Sequence, residues 1–190
     1  MTVLMRAKEI IRRPVVTLAG DDVAQIKDVV YADDQGEVAG FTLAGRGLFA
    51  GPKKEALAWT SIHAVGRDAV MIINEEMFDQ RRDIVDKAQA RGGNVIASRV
   101  LTDTGTDLGK VVDAILEIGE TARVVGYAID SSEALGRGGR TVFIPLPDTI
   151  AVSGEALIVP STAADFVSDD LSGFGASVQA FRDRLRGEKH

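Results

Sequence analysis

An internal repeat constrains this chain more than any other feature. Displaced by 85 residues, Val15-Val16-Thr17 falls on Val100-Leu101-Thr102, Gly20 on Gly105, Asp22 on Asp107, and Ile26–Val30 on Val111–Ile115. A displacement of 86 sets Gly40-Phe41-Thr42-Leu43 on Gly126-Tyr127-Ala128-Ile129, and one of 87 sets Ala64-Val65 on Ala151-Val152 and Asp68–Ile72 on Glu155–Val159. The inserted residues fall where turns are expected, and matched positions keep size and polarity. Three such blocks in one order predict two copies of a single supersecondary unit.

Each copy reads as short strands between turns. Val15–Leu18 is brief and β-branched, Gly20-Asp21-Asp22 is a turn, Gln25–Ala32 is a strand, and Asp33-Asp34-Gln35-Gly36 is a hairpin turn before Glu37–Leu43. Glu55–Trp59, Ser61–Val65 and Ala69–Ile73 complete the copy, the last two separated by Gly66-Arg67-Asp68 as their counterparts are by Ser153-Gly154-Glu155. Strands this short and this regularly spaced suit a small barrel or rolled sheet, not alternating βαβ units. The predicted fold is mainly β: two tandem small barrels, with helices at a linker and at the C-terminus. The expected boundaries are 1–74 for the first domain, 75–94 for a helical linker, 95–160 for the second domain and 161–190 for a helical tail.

The linker helix is expected from Asn74 or Glu75 to about Ala90, with Met77, Ile84, Val85 and Ala88 as its packed stripe and Arg91-Gly92-Gly93-Asn94 as its stop. In the tail, Phe174, Val178, Phe181 and Leu185 recur at helical spacing, with Arg182, Arg184 and Arg186 near the end where cations suit the helix dipole. That stripe is expected to cover apolar surface on its own chain or to pair two copies as a homo-oligomer.

Composition excludes several classes of function. A net charge of −6 opposes direct nucleic-acid binding, in which a basic surface supplies most of the affinity. With no cysteine there is no disulfide, thiol nucleophile or cysteine-held metal. No apolar run is long enough for a signal-peptide core or a membrane span, so a soluble cytoplasmic protein is the expectation.

The run Met5-Arg6-Ala7-Lys8-Glu9-Ile10-Ile11, a strand, a Gly-Asp turn and Ile26-Lys27-Asp28-Val29-Val30 together resemble the PRC-barrel family. So does Leu108-Gly109-Lys110-Val111-Val112-Asp113-Ala114-Ile115, and the likeness covers roughly residues 5–74 and 95–160. Barrels of this kind occur in the H subunit of photosynthetic reaction centres and in the C-terminal half of a bacterial ribosome-maturation factor. The resemblance implies a small β-barrel that binds a protein partner, with no shared catalytic residue. The first copy departs from the pattern with Ala24 where the second has Gly109. The chain is expected to have neither a membrane helix of the reaction-centre kind nor a separate rRNA-processing domain ahead of the first barrel.

No set of residues reads as a catalytic centre, a metal site or a cofactor site. Asp28 and Asp113 occupy equivalent positions, one per copy, and are expected to be structural acids that bond backbone or a cation in their own barrels. His63 and His190 lack the spacing of metal ligands, and His63 is expected to be a structural strand residue. Asp21-Asp22 and Asp33-Asp34 lack the rest of a calcium loop.

The stretch most suggestive of function is Gly45–Lys54, predicted as a glycine-rich loop bearing Arg46, Leu48, Phe49, Lys53 and Lys54. No Walker pattern is present to cradle phosphate. The loop either offers backbone, cations and an apolar tip to a partner, or folds Leu48 and Phe49 back on its barrel. Gly136–Arg140 stands at the corresponding place in the second copy and supplies Arg137 and Arg140. Residues 1–74 hold nine cationic and nine acidic side chains and residues 95–160 five and nine, so the copies are expected to have diverged in partner choice. The favoured function is a non-enzymatic, protein-binding adaptor. The alternative is an accessory factor in RNA processing or ribosome assembly that acts through protein contacts.

Overall fold

A computed structural model describes residues 2–32, 36–47, 49–89, 95–136, 138–146, 151–152 and 156–188. It is mainly β and divides into two compact units, Ala7–Asp33 with Glu37–Arg91, and Gly92–His190 with Met1–Arg6 and Asp34–Gly36. The chain opens with strand β1 (Val3–Arg6). The first copy then runs through helix α1 (Ala7–Ile10), β2 (Pro14–Thr17), β3 (Asp22–Tyr31), β4 (Val38–Ala44), β5 (Pro52–Ala58), β6 (Ala64–Val65), β7 (Val70–Ile72), β8 (Phe78–Gln80) and α2 (Arg81–Gln89). The second comprises β9 (Arg99–Thr102), β10 (Asp107–Ile118), β11 (Ala122–Ser131), β12 (Thr141–Pro145), β13 (Ala151–Val152), β14 (Ala156–Val159) and α3 (Leu171–Glu188).

The two sheets share one topology. Strand order is β6-β7-β2-β3-β4-β5-β8 in the first and β13-β14-β9-β10-β11-β12 in the second, where β1 also pairs with β10. Each sheet has one parallel pair in matching register: Val15 opposite Val70 in the first, Val100 opposite Leu157 in the second. Three irregularities recur at equivalent places. The ladder slips between Val15 and Val16 and between Val100 and Leu101's partners, between Ile26 and Asp28 and between Val111 and Asp113, and between Val30 and Tyr31 and between Ile115 and Leu116. Arg12 and Ala97, 85 positions apart, both take left-handed backbone, at φ 72° and 71°. In each case the amide donates across the sheet, Arg12 to Ile26 O and Ala97 to Val111 O, both at 2.8 Å. Bulges and left-handed residues are local costs that drift does not reproduce by chance, so their recurrence marks a duplication.

Both faces of each sheet are buried. Opposed residues of antiparallel strands share a face, so Ile26 with Leu43 and Phe41 with Leu57 line one side of the first sheet, all at most 1% exposed. On the other side Val30, Ala56 and the partly buried Ala39 and Ala58 receive Ile84 and Val85 of α2. The equivalent face of the second sheet presents Ile115, Val125, Ala128 and Phe143 to Phe174 and Val178 of α3. Gly126 makes room for this helix, because a Cβ there would meet the Phe174 ring.

The repeat therefore runs past the sheet. After β7 come a 3-10 turn (Glu75–Met77), β8 and α2; after β14 come a longer 3-10 turn (Ser161–Phe166), a bridge at Ser168 and α3. Asp79 pairs with Ala56, and Ser168 with the equivalent Phe143. This differs from a helix running from residue 75 to 90. Met77 lies in the 3-10 turn, Phe78–Gln80 is strand, and the helix starts at Arg81 and packs on the first sheet. The side chain of Ala88 and the Arg91–Asn94 stop lie outside the described residues. The tail stripe docks in cis: Phe174, Val178 and Phe181 are buried within their own chain, and Leu185 is half-buried. Strand β1, expected within a 1–74 domain, belongs to the second unit, where Arg6 lies over the Phe143 ring at 4.9 Å.

Candidate partner-binding site

The hairpin between β4 and β5 carries the loop singled out by the sequence, with a different boundary. Strand β5 begins at Pro52, so Lys53 and Lys54 are strand residues and the loop is Gly45–Gly51. Proline is admissible there because the first strand residue can do without an amide donor. The loop's ends are tied by Gly45 N donating to Gly51 O at 3.0 Å, and Ala50 N donates to Gly47 O at 3.3 Å. Arg46 reaches β3, where its Nε donates to Asp22 at 2.9 Å and its Nη1 to Gln25 Oε1 at 3.3 Å. Anchored at both ends and by this latch, the loop leaves the Phe49 side chain 100% exposed. Phe49 does not fold back on its sheet.

The cations do not form one cluster. Arg46 is engaged with Asp22, and Lys53 is folded over the Phe78 ring at 5.7 Å with its Nζ 3.5 Å from Val23 O. Lys54 is exposed, as the alternation of a strand requires. Arg140 is exposed in the second unit. Leu48 and Arg137 lie outside the described residues, as do Asp33-Asp34 and His190.

The acids at equivalent positions have parted. Asp113 is 4% exposed and its carboxylate accepts from Ala114 N at 2.8 Å, whereas Asp28 is exposed and its backbone amide donates to Thr42 Oγ1 at 3.1 Å. The burial and backbone bond of Asp113 fit the structural reading of that acid. His63 is exposed and lies outside any strand, its amide donating to Met71 O at 2.8 Å; the expected strand Ser61–Val65 shrinks to Ala64–Val65 behind a 3-10 turn at Trp59–Ser61. Among the described residues no three His, Asp or Glu side chains are grouped to hold a metal ion, and no helix is long and apolar enough to cross a membrane.

Among the described residues four groups have displaced protonation, the first being the exposed Arg67, raised by its hydrogen bond to Asp68. Burial alone pushes the Tyr127 phenol, set where the first copy has Phe41, up to about 12. Asp170, whose carboxylate caps α3, is held below the usual carboxylate range by accepting from Ser172 Oγ and then from Gly173 N. Desolvation lowers Arg13, whose guanidinium donates to Gly66 O at 2.6 Å and to Glu9 O at 2.9 Å.

Two sheets of one topology, each with a helix on its outer face, define a duplicated small-barrel protein. The chain belongs to the PRC-barrel domain family, which matches it twice, at residues 3–77 and 89–166. A search of curated proteins finds no match to the chain.

Proposed function

We propose that this protein is a non-enzymatic adaptor that binds a protein partner through its first barrel. The observation that carries this reading is Phe49, fully exposed at the tip of a loop held by Arg46, Asp22 and Gln25. An aromatic ring kept in water is unfavourable for the free protein, and it gains when a partner's pocket covers it. The RNA-processing alternative draws on the cations Arg46, Lys53, Lys54, Arg137 and Arg140, of which Arg46 and Lys53 are engaged within the fold.

The test is photocrosslinking in the native host, with benzoylphenylalanine placed at position 49 or, as a control, at the exposed Gln179 of α3. A specific protein adduct from position 49 and none from position 179 is the expected result. Equal, diffuse labelling from both positions would remove the proposal.

A further inference from the structure

Among the described residues five large apolar side chains are exposed, and three of them, Leu18 at 55%, Phe49 at 100% and Ile73 at 53%, belong to one end of the first sheet. Strand directions put them there. β2 runs out to Leu18, and the parallel β7 ends beside it, with Leu18 N donating to Ile72 O at 2.9 Å. β3 sets out from Asp22 at that same end, and β4 finishes there with Ala44 opposite Gln25, leading into the Phe49 loop that Arg46 ties to Asp22.

The second copy serves as an internal control. Asp103 stands where the first has Leu18 and makes the same backbone bond, Asp103 N to Val159 O at 2.9 Å. Its carboxylate accepts from Ser161 N at 2.9 Å, and Pro160 replaces Ile73. The segment between β11 and β12, residues 132–140, contains no aromatic residue. The apolar end is therefore a property of one copy and not a requirement of the fold.

The rim of this end narrows the chemistry of its occupant. Asp21, Glu75 and Glu76 are exposed beside Leu18 and Ile73. Of the cations on the Phe49 side, Arg46 is neutralised by Asp22 and Lys53 lies over Phe78, which leaves Lys54 exposed on β5. Carboxylates beside the apolar pair repel anionic lipid and nucleic acid and attract a cationic flank. We infer that this end of the first barrel binds a protein segment that carries apolar side chains next to lysine or arginine. The inference rests on the adaptor reading and adds the partner's chemistry to it.

The experiment follows backbone amides of the full chain by NMR during titration with a synthetic leucine–lysine peptide, a leucine–glutamate counterpart, and vesicles of phosphatidylcholine with phosphatidylglycerol. The leucine–lysine peptide should shift Leu18, Phe49, Ile73 and Glu75, and bind about tenfold tighter than the acidic one. Phe49→Ser and Ile73→Ser should each weaken it by about fivefold without changing the melting temperature, since both side chains are exposed. A joint Glu75→Lys, Glu76→Lys variant should erase the preference between peptides. Equal binding of both peptides, shifts centred on Asp103 and Ser161, or stronger binding to the vesicles would overturn the inference. If position 49 crosslinks a specific protein while the leucine–lysine peptide gives no shifts, the adaptor reading stands and the basic-segment chemistry falls. If position 49 crosslinks none, the adaptor reading falls as well.

Discussion

Replacing Phe174 by alanine should remove most of what holds α3 to the second sheet. The ring is fully buried, lies in a cluster with Ile115, Val125, Ala128, Phe143 and Val178, and packs tilted against the Phe143 ring at 5.9 Å between centroids. Burying an aromatic side chain removes roughly 150–200 Å² from water, which at about 25 cal/mol/Å² is worth about 4–5 kcal/mol. Measured phenylalanine-to-alanine losses of about 3–5 kcal/mol agree, and they already include the aromatic pairing and the cavity left behind. Backbone at Gly126 cannot fill the space, because its neighbours fix the strand. About 4 kcal/mol is a large share of a domain's stability of roughly 5–15 kcal/mol. Denaturant unfolding should therefore shift to a lower midpoint, and amides of Leu171–Glu188 should lose hydrogen-exchange protection before those of β10 and β11. Leu185→Ala, at a half-buried position on the same helix, should cost about 1 kcal/mol or less. A Phe174→Ala loss below about 1 kcal/mol, with α3 protection unchanged, would refute the claim that this helix is part of the second repeat's core.

Other perturbations probe separate parts of the structure. Ala97→Gly should stabilise the chain by about 0.5–1 kcal/mol, because Ala97 is exposed at φ 71°, so glycine relieves the backbone cost and leaves no cavity behind; a measured destabilisation in urea unfolding would contradict the left-handed assignment. Tyr127 is raised from 10.0 to about 12, so its neutral form's contribution is complete below pH 10 and is lost as pH rises towards 12. That loss approaches about 2–3 kcal/mol, and Tyr127→Phe, which copies Phe41, should abolish this component of alkaline unfolding while absorbance at 295 nm follows the wild-type phenol. Asp170 is lowered from 3.8, so its cap is fully effective above that pH and weakens as pH falls through the lower folded value; exchange at Gly173 N should accelerate in that acid window and become insensitive to it in Asp170→Ala.

Much of the fold is legible from sequence because a duplicated core repeats its sterically demanding positions. Val15 and Val100, Phe41 and Tyr127, and Val70 and Leu157 keep their size, and Gly40 and Gly126 both sit where a Cβ would strike the neighbouring strand or helix. The repetition fades in the helices, where Ile84 meets the small Ala56 and Phe174 meets Phe143, so the two caps match in place but not in residue type. Their lengths of 9 and 18 residues further hide the equivalence. Long-range pairings leave no local trace either. Nothing near Val3–Arg6 announces Ile115–Ile118 as its partner, and nothing near Arg46 announces Asp22. The Phe49 loop is visible as glycine and aromatic, but Pro52 and two lysines read as loop although they start a strand. Exposure at Leu18 and Ile73 was equally hidden, because apolar residues at strand ends most often pack.

The most direct test of the duplicated barrel-plus-helix is a set of NOEs from aromatic and methyl protons in the intact chain. Phe174 ring protons should show NOEs to the methyls of Ile115 and Val125, and Ile84 methyls to Ala56 and Val30, matching each helix to the equivalent face of its own sheet. NOEs from Phe174 to Val30 or Ala56 instead, or none from either helix to a sheet, would contradict it.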